Sequence, residues 1–301
     1  MPDLIISPGP HIKDKKDNAQ IMREVLIALI PASAAAMFFF GRSALLLIFC
    51  GIVSAVFCEY LIIKVKKVPV TPADLLSATL TGLLLALMVS PVTAWWAVGI
   101  GSAVAIIIAK HAFGGLGHNI FNPALVGRAF MLASWPVMMT AWVRPFDAVT
   151  SATPLAENPL PVTYLQLLIG NHAGSIGETC ILALLLGAAY LFWRRVIEWR
   201  IPVAYLCAVV VFSILLRLDS IFQLLAGGLV LGAFFMATDP VTSPVTKSGR
   251  WIFGIGAGII TVVIRISGGY PEGVCYAILI MNAATPLLDR YARGRIFGHG
   301  R

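Results

Sequence analysis

A cluster of hydroxyl side chains sits near the middle of this chain, in Asp147-Ala148-Val149-Thr150-Ser151-Ala152-Thr153-Pro154-Leu155. This is part of the longest polar interval between apolar segments. An aliphatic hydroxyl can be esterified only where a transferase reaches it, which calls for an exposed stretch without regular structure. Ser151 and Ala152 add little bulk beside Thr153, and Pro154 biases Thr153 toward extended backbone. The same Thr-Pro pair also reads as a helix N-cap followed by the first helical residue. Local spacing leaves both readings open.

Two further stretches carry polar residues next to apolar runs. Phe113-Gly114-Gly115-Leu116-Gly117-His118-Asn119-Ile120-Phe121-Asn122-Pro123-Ala124 combines glycines that allow tight turns with an Asn-Pro cap. A helix N-terminus there offers free N–H groups to anionic or carbonyl atoms. Thr238-Asp239-Pro240-Val241-Thr242-Ser243-Pro244-Val245-Thr246 has two prolines that prevent a helix. Such backbone at membrane depth lines a cavity or is buried in protein; near the interface it is an exposed turn with Asp239 in water. Arg128 lies six residues into the run after Asn122, about 9 Å along a helix. It either snorkels to the cytoplasmic face or pairs with Asp239 or a cofactor carbonyl. Glu59 and Asp74 near the cytoplasmic span ends either help a cation enter or, the plainer reading, are hydrated at the interface, and His118 reads as an interfacial loop residue.

The elements that position these residues are membrane spans. The 301 residues are 59% hydrophobic and 12% charged, with a mean hydropathy of +0.89. A soluble domain carries about twice that charged fraction. Apolar runs predict ten spans at about 22–40, 43–63, 72–90, 93–110, 122–142, 176–193, 200–217, 220–237, 250–267 and 272–289. Tyr164–Ile169 is too short to cross and is expected at the interface. With the N-terminus inside, seventeen of the 22 Lys and Arg fall on the cytoplasmic side. Arg42, Arg144, Arg217 and Arg265 fall outside, and Arg128 within a span. Both termini are then cytoplasmic and the Thr153 loop faces outward.

An internal repeat accompanies this layout. Trp96-Ala97-Val98-Gly99-Ile100-Gly101 returns as Trp251-Ile252-Phe253-Gly254-Ile255-Gly256, and Gly82-Leu83-Leu84 is answered by Gly228-Leu229-Val230. Spans three to five thus match spans eight to ten. An offset of five spans makes the halves inverted, an arrangement shared by many transporters. The expected fold class is an all-α polytopic membrane protein of one domain. A cytoplasmic segment (1–21) precedes a first five-helix repeat (22–142). An outer loop (143–175), a second repeat (176–290) and a cytoplasmic tail (291–301) follow.

Several classes are excluded or disfavoured. The net charge of +8 is scattered over loop ends, which argues against nucleic acid. Cys50, Cys58, Cys180, Cys207 and Cys275 form no CxxC pair, so disulfides, zinc and an internal iron–sulfur cluster are not expected. There is no Walker P-loop and no Rossmann fingerprint.

The motifs resemble those of the RnfD/NqrB family. Asp147 to Thr153 is similar to its flavin-attachment signature Asp-x-x-(Ser/Thr)-Gly-Ala-Thr, with Ser151 at the glycine position. The 113–124 stretch matches its Gly-Gly-x-Gly-x-Asn-x-Phe-Asn-Pro-Ala motif, and 238–246 also looks like a family motif. The resemblance covers most of the chain. It implies FMN held as a phosphoester on Thr153, with Asp147, Thr150, Ser151 and Ala152 as the attachment motif. Gly115, Asn119, Asn122, Arg128, Thr238 and Asp239 are the candidate cavity-lining residues, and no metal ligands are implied. The sequence leaves open whether a second, non-covalent flavin binds.

The family implies a flavin-carrying subunit, not catalytic alone, of a bacterial cytoplasmic-membrane complex. That complex moves electrons between ferredoxin and NAD and pumps Na⁺ or H⁺. Implied partners are the other Rnf subunits, a flavin transferase and membrane lipid, with no nucleic acid. Moving one cation against ~150 mV costs roughly 3.5 kcal/mol. A two-electron drop of about 75 mV supplies that much. The rival reading is a secondary transporter or channel for a small solute, which an inverted repeat with broken helices fits equally.

Overall fold

The computed structural model describes residues 17–146, 150–151, 155, 163–267 and 273–292. The first helix, α1 (Asn18–Val65), opens on a capping box in which Asp17 and Gln20 satisfy each other's backbone amides. As a straight rod its 48 residues would extend about 72 Å, more than twice a hydrocarbon core. Gly41, at φ 57° and ψ −129°, divides it. The two arms fold back on each other: Met22 on the first arm lines one cavity with Lys110. Lys110 in turn reaches Glu59 on the second. These arms occupy the spans expected at 22–40 and 43–63.

Next comes α2 (Pro72–Leu87), started by Thr71 and Asp74 in a second capping box with Pro72 at the first turn. Its neighbour α3 (Trp95–Val104) widens into a π-helical turn, Ala105–Lys110. The expected fifth span is two helices, α4 (Pro123–Ser134) and α5 (Pro136–Thr140), interrupted at Trp135 where Pro136 starts a new first turn. Two short strands follow, β1 (Trp142–Val143) and β2 (Thr150–Ser151), paired antiparallel with Trp142 opposite Ser151. The short helix α6 (Tyr164–Ile169) ends on Gly170 in the left-handed region.

The second half runs through α7 (Ile181–Trp193), α8 (Arg200–Leu215), α9 (Ser220–Leu225) and α10 (Leu229–Leu231). A π turn, Gly232–Met236, extends α10. Last come α11 (Lys247–Ser267) and α12 (Val274–Tyr291). Two expectations are corrected here. The sixth span starts at Ile181 and not at 176, because residues 172–179 form a buried coil. The eighth is broken at Ala226–Gly228. Asn18–Val65, Trp95–Phe113 and Lys247–Ser267 are long and apolar enough to cross a membrane, and four shorter apolar helices accompany them. Large apolar side chains such as Phe38, Phe57, Leu186 and Ile214 are exposed. That surface suits lipid far better than water.

Small residues let the helices approach closely. Gly51 meets the Gly82 carbonyl between α1 and α2, and Gly258 meets the Tyr205 carbonyl between α11 and α8. Repeat-related glycines have matching neighbours. Gly101 on α3 packs on Met131 of α4, and Gly256 on α11 packs on Met281 of α12. Lys67 and Arg217, which follow the second arm of α1 and α8, both take positive φ. Each closes its helix with a pair of reversed hydrogen bonds, Val68 N to Ile63 O at 3.3 Å and Leu218 N to Ser213 O at 2.8 Å.

Candidate functional site

The glycine-rich connection between α3 and α4 is a built turn. Gly114, Gly115 and Gly117 take φ of 128°, 105° and 87°, which side chains with a Cβ rarely adopt. The chain thereby delivers Asn122 to the start of α4. Its Oδ1 accepts from Ala124 N at 3.1 Å, and its Nδ2 donates to the Met236 carbonyl at 3.4 Å. Asn119 Nδ2 donates to the Phe121 carbonyl at 3.2 Å. Across from them runs the segment after the π turn, where Asp239 Oδ2 accepts from Thr242 Oγ1 at 3.0 Å. Asn119, Asn122 and Asp239 line one cavity of about 50 Å³ with Lys110, Ser77 and Thr81. The fold therefore brings together three of the expected residues from segments more than a hundred positions apart. Gly115 shapes the turn, and Thr238 faces a different pocket. As closed here the cavity is far below the ~300–1,000 Å³ of small-molecule pockets. A flavin ring would enter only if the connection opened.

One wall of this cavity is ionic. Lys110 Nζ lies 2.9 Å from Glu59 Oε1 and 3.3 Å from Ser77 Oγ, and His111 Nε2 lies 3.1 Å from Glu59 Oε2. Glu59 is 0% exposed and Lys110 1%. The sequence reading placed Glu59 in water at a span end and counted Lys110, the last residue of the span at 93–110, among the cytoplasmic-side charges. The structure corrects both, because the two charges bury each other. Neither would be tolerated there alone. Asp74 instead closes the start of α2.

A second buried ionic centre holds Arg128. Its carboxylate partner is Glu178, with Nη1 3.8 Å from Oε1. Snorkelling does not apply, since Arg128 is 4% exposed. Glu178 sits against Gly228, where any Cβ would strike its carboxylate. Arg265 reaches in from α11 to the other side of the same break. It donates to the carbonyls of Gln223 at 2.6 Å and Ala226 at 2.8 Å. The two halves of the broken helix thus meet charges that complement their dipoles: a guanidinium at the carbonyl end, a carboxylate at the amide end.

Of the attachment motif, Thr150 and Ser151 form β2, so this part is in a strand pair and not in irregular backbone. Asp147, Ala152 and Thr153 lie outside the described residues, as does the Thr153-Pro154 cap reading. The neighbouring α6–α7 connection is buried from His172 to Thr179. Ile176 N and Gly177 N donate to the Val89 and Leu87 carbonyls at 3.1 and 2.8 Å. Burial pushes the His172 imidazole down to about 4, against the pull of a hydrogen bond to the Gln166 backbone. Among the described residues no cluster suits a metal ion, and the five cysteines are free thiols.

Known proteins resemble this chain along nearly its whole length. The sequence profile of the NQR2, RnfD, RnfE family matches residues 5–298. The chain belongs to that family. Among its family relatives is the D subunit of the Na(+)-translocating ferredoxin:NAD(+) oxidoreductase complex of Acetobacterium woodii, 47% identical over 98% of this chain and 96% of the relative. Another is the D subunit of the proton-translocating ferredoxin:NAD(+) oxidoreductase complex of Clostridium ljungdahlii, 45% identical over the same shares. The D subunit of the ion-translocating oxidoreductase complex of Cronobacter sakazakii is 36% identical over 98% of this chain and 99% of the relative.

Reading the sequence alone missed four residues of this family member's interior: Lys110, His111, Glu178 and Arg265. A signal existed for one of them. Glu178 follows Gly174-Ser175-Ile176-Gly177 and precedes an apolar run. An acidic residue among small ones at a span start suits a buried turn. Lys110 and Arg265 read as ordinary span-end charges, and no local feature distinguishes them.

Proposed function

We propose that this chain is the D subunit of an ion-translocating ferredoxin:NAD⁺ oxidoreductase, embedded in the bacterial cytoplasmic membrane. The observation that carries this reading is its full-length similarity to relatives named as that subunit, at up to 47% identity. Electron transfer and Na⁺ or H⁺ pumping belong to the assembled complex, so the chain is one part of an oxidoreductase with other Rnf subunits as partners.

The finer reading is a ten-span bundle of two inverted five-helix repeats, termini in the cytoplasm and the Thr153 loop outside. Its support is the paired packing of Gly101 on Met131 and Gly256 on Met281. The matched caps at Lys67 and Arg217 point the same way. In this reading Thr153 Oγ carries the phosphoryl group of FMN, placed there by a separate flavin transferase. FMN supplies one-electron relay chemistry when bound. The chain's part is positional. The β1–β2 pair holds the motif two residues before Thr153. Glu178, Arg128 and Arg265 fix the broken helix behind the buried connection. Lys110 and the Asn119–Asn122–Asp239 cavity offer polar groups near the opposite end.

The test is ultraviolet fluorescence of the denatured chain on a gel, from cells that also make the transferase. A fluorescent wild-type band that vanishes in Thr153→Ala, with unchanged complex assembly, is the expected result. A dark wild-type band would remove the flavin reading and leave the subunit assignment standing.

A further inference from the structure

The segment Thr238–Val241 is a partition between two spaces. Asp239 and Val241 face the cavity shared with Asn119 and Asn122. Thr238 and Pro240 face a separate pocket of about 500 Å³, the segment being a run of turns held by Asp239 N to Met236 O and Ser243 N to Asp239 O. That volume is within the range of ligand pockets. The pocket lies at one end of the bundle, between the α7–α8 turn and the start of α11. Phe192, Trp199 and Ile201 form its apolar wall, and Ser243 contributes a hydroxyl.

Charge decides what such a pocket takes. Arg195 and Arg250 line it together with one carboxylate, Glu198. Glu198 is shared, since it pairs with both Arg250 and Arg200. Two lining guanidiniums against one carboxylate, which Arg200 also neutralises from beside the pocket, leave the site positive. Arg250 is held in place by its Nε, which donates to the Pro244 carbonyl at 2.9 Å. Arg195 sits at positive φ in the turn and so projects from a fixed helix end. Trp199 stacks edge-on against Trp251, and Trp193, at the end of α7, is 77% exposed. Indole rings at a helix end mark the headgroup level of a bilayer. Basic pockets between helices at this level suit anionic lipid headgroups.

We infer that this pocket binds the phosphate headgroup of an anionic phospholipid, with an acyl chain running down the apolar wall beside Trp199. The occupant braces the outer side of the Thr238–Val241 partition, whose inner side faces Asp239's cavity. The inference rests on the pocket's place at the bundle end and is independent of the flavin on Thr153.

The test uses the full-length protein purified in its complex. It is reconstituted in nanodiscs of phosphatidylcholine alone or of phosphatidylcholine with phosphatidylglycerol, and retained lipid is counted by native mass spectrometry. The expected result is phosphatidylglycerol retained by the wild type, with apparent affinity about fivefold weaker for each guanidinium removed in Arg195→Gln and Arg250→Gln. Glu198→Gln should tighten binding, a change of sign that a merely misfolded pocket would not produce. A photo-crosslinking residue at position 245 should label lipid. Equal retention in all variants overturns the proposal. So does full displacement by inorganic phosphate, which would make the site one for a free anion, or a crosslink to another subunit, which would make it a protein interface.

Discussion

The helices α2 and α9–α10 carry similar sequence patterns, Gly82-Leu83-Leu84 and Gly228-Leu229-Val230, yet they solve the same problem differently. Each ends with carbonyls that have no partner within the helix. At the end of α2 the Leu87 carbonyl is met by a backbone amide, Gly177 N, from a buried coil, and Ile176 N meets the Val89 carbonyl just beyond it. In α9 they are met by the guanidinium of Arg265. The matched glycines diverge in the same way. Gly82 presses on the backbone of Gly51, whereas Gly228 seats the carboxylate of Glu178. A continuous helix is closed by neutral groups; a broken one needs charge at both of its inner ends. Related apolar patterns thus give a structural helix in one half and an ionic centre in the other.

The largest expected effect separates these solutions. Glu178→Ala leaves Arg128 buried without that carboxylate, and breaking a buried pair costs about 3–5 kcal/mol. The complex should lose monodispersity in size-exclusion chromatography after mild heating. Pairing Glu178→Leu with Arg128→Met should recover part of the loss. If Glu178→Ala melts like the wild type, the ionic account of the break is wrong.

Acid probes the neutral closure of α2. His172, in the coil that supplies the capping amides, is held down to about 4 in the folded state, below its usual ~6.5. The unfolded chain binds the extra proton first, so stability falls as pH drops from about 6.5 to 4. The full loss approaches ~3 kcal/mol, at 1.36 kcal/mol per pH unit. Thermal denaturation across this range should show a slope that His172→Gln flattens.

Gly82→Ala forces α2 away from α1, against backbone that cannot yield, at a cost of roughly 1–3 kcal/mol. Gly228→Ala should cost less in melting temperature, because a flexible carboxylate can withdraw. The reverse order would mean that the seat of Glu178 is the tighter contact. Removing the caps tests the opposite ends: Thr71→Ala and Asp219→Ala should each cost about 1 kcal/mol. The smallest effect is a gain. Arg217→Gly relieves a left-handed non-glycine residue and should raise the melting temperature slightly.

Much of the architecture was legible without coordinates. Runs of apolar residues, each ended by Pro, Gly or a charge, locate the helices because lipid and core both demand unbroken apolar faces. The Asn122-Pro123 cap was equally readable, since capping depends on residues two positions apart. The breaks were harder. Residues 220–237 look like one span, and the interruption at Ala226–Gly228 becomes stable only when Arg265, some forty positions later, reaches its carbonyls. The coil at 172–179 was likewise read as the end of a loop and the start of a helix. Two of its amides, Ile176 N and Gly177 N, find partners nearly ninety residues earlier, at and just past the end of α2.

What the sequence by itself determined is membership in a membrane-protein family, the approximate places of most helices and the Asn122-Pro123 cap. All of these are written in local composition and short spacing. Tertiary structure alone decided which charges are buried. Glu59, Lys110, Arg128 and Glu178 are each a costly or solvated group when taken singly. An ion becomes tolerable in an apolar interior only through a partner a few ångströms away, and such partners come from distant parts of the chain.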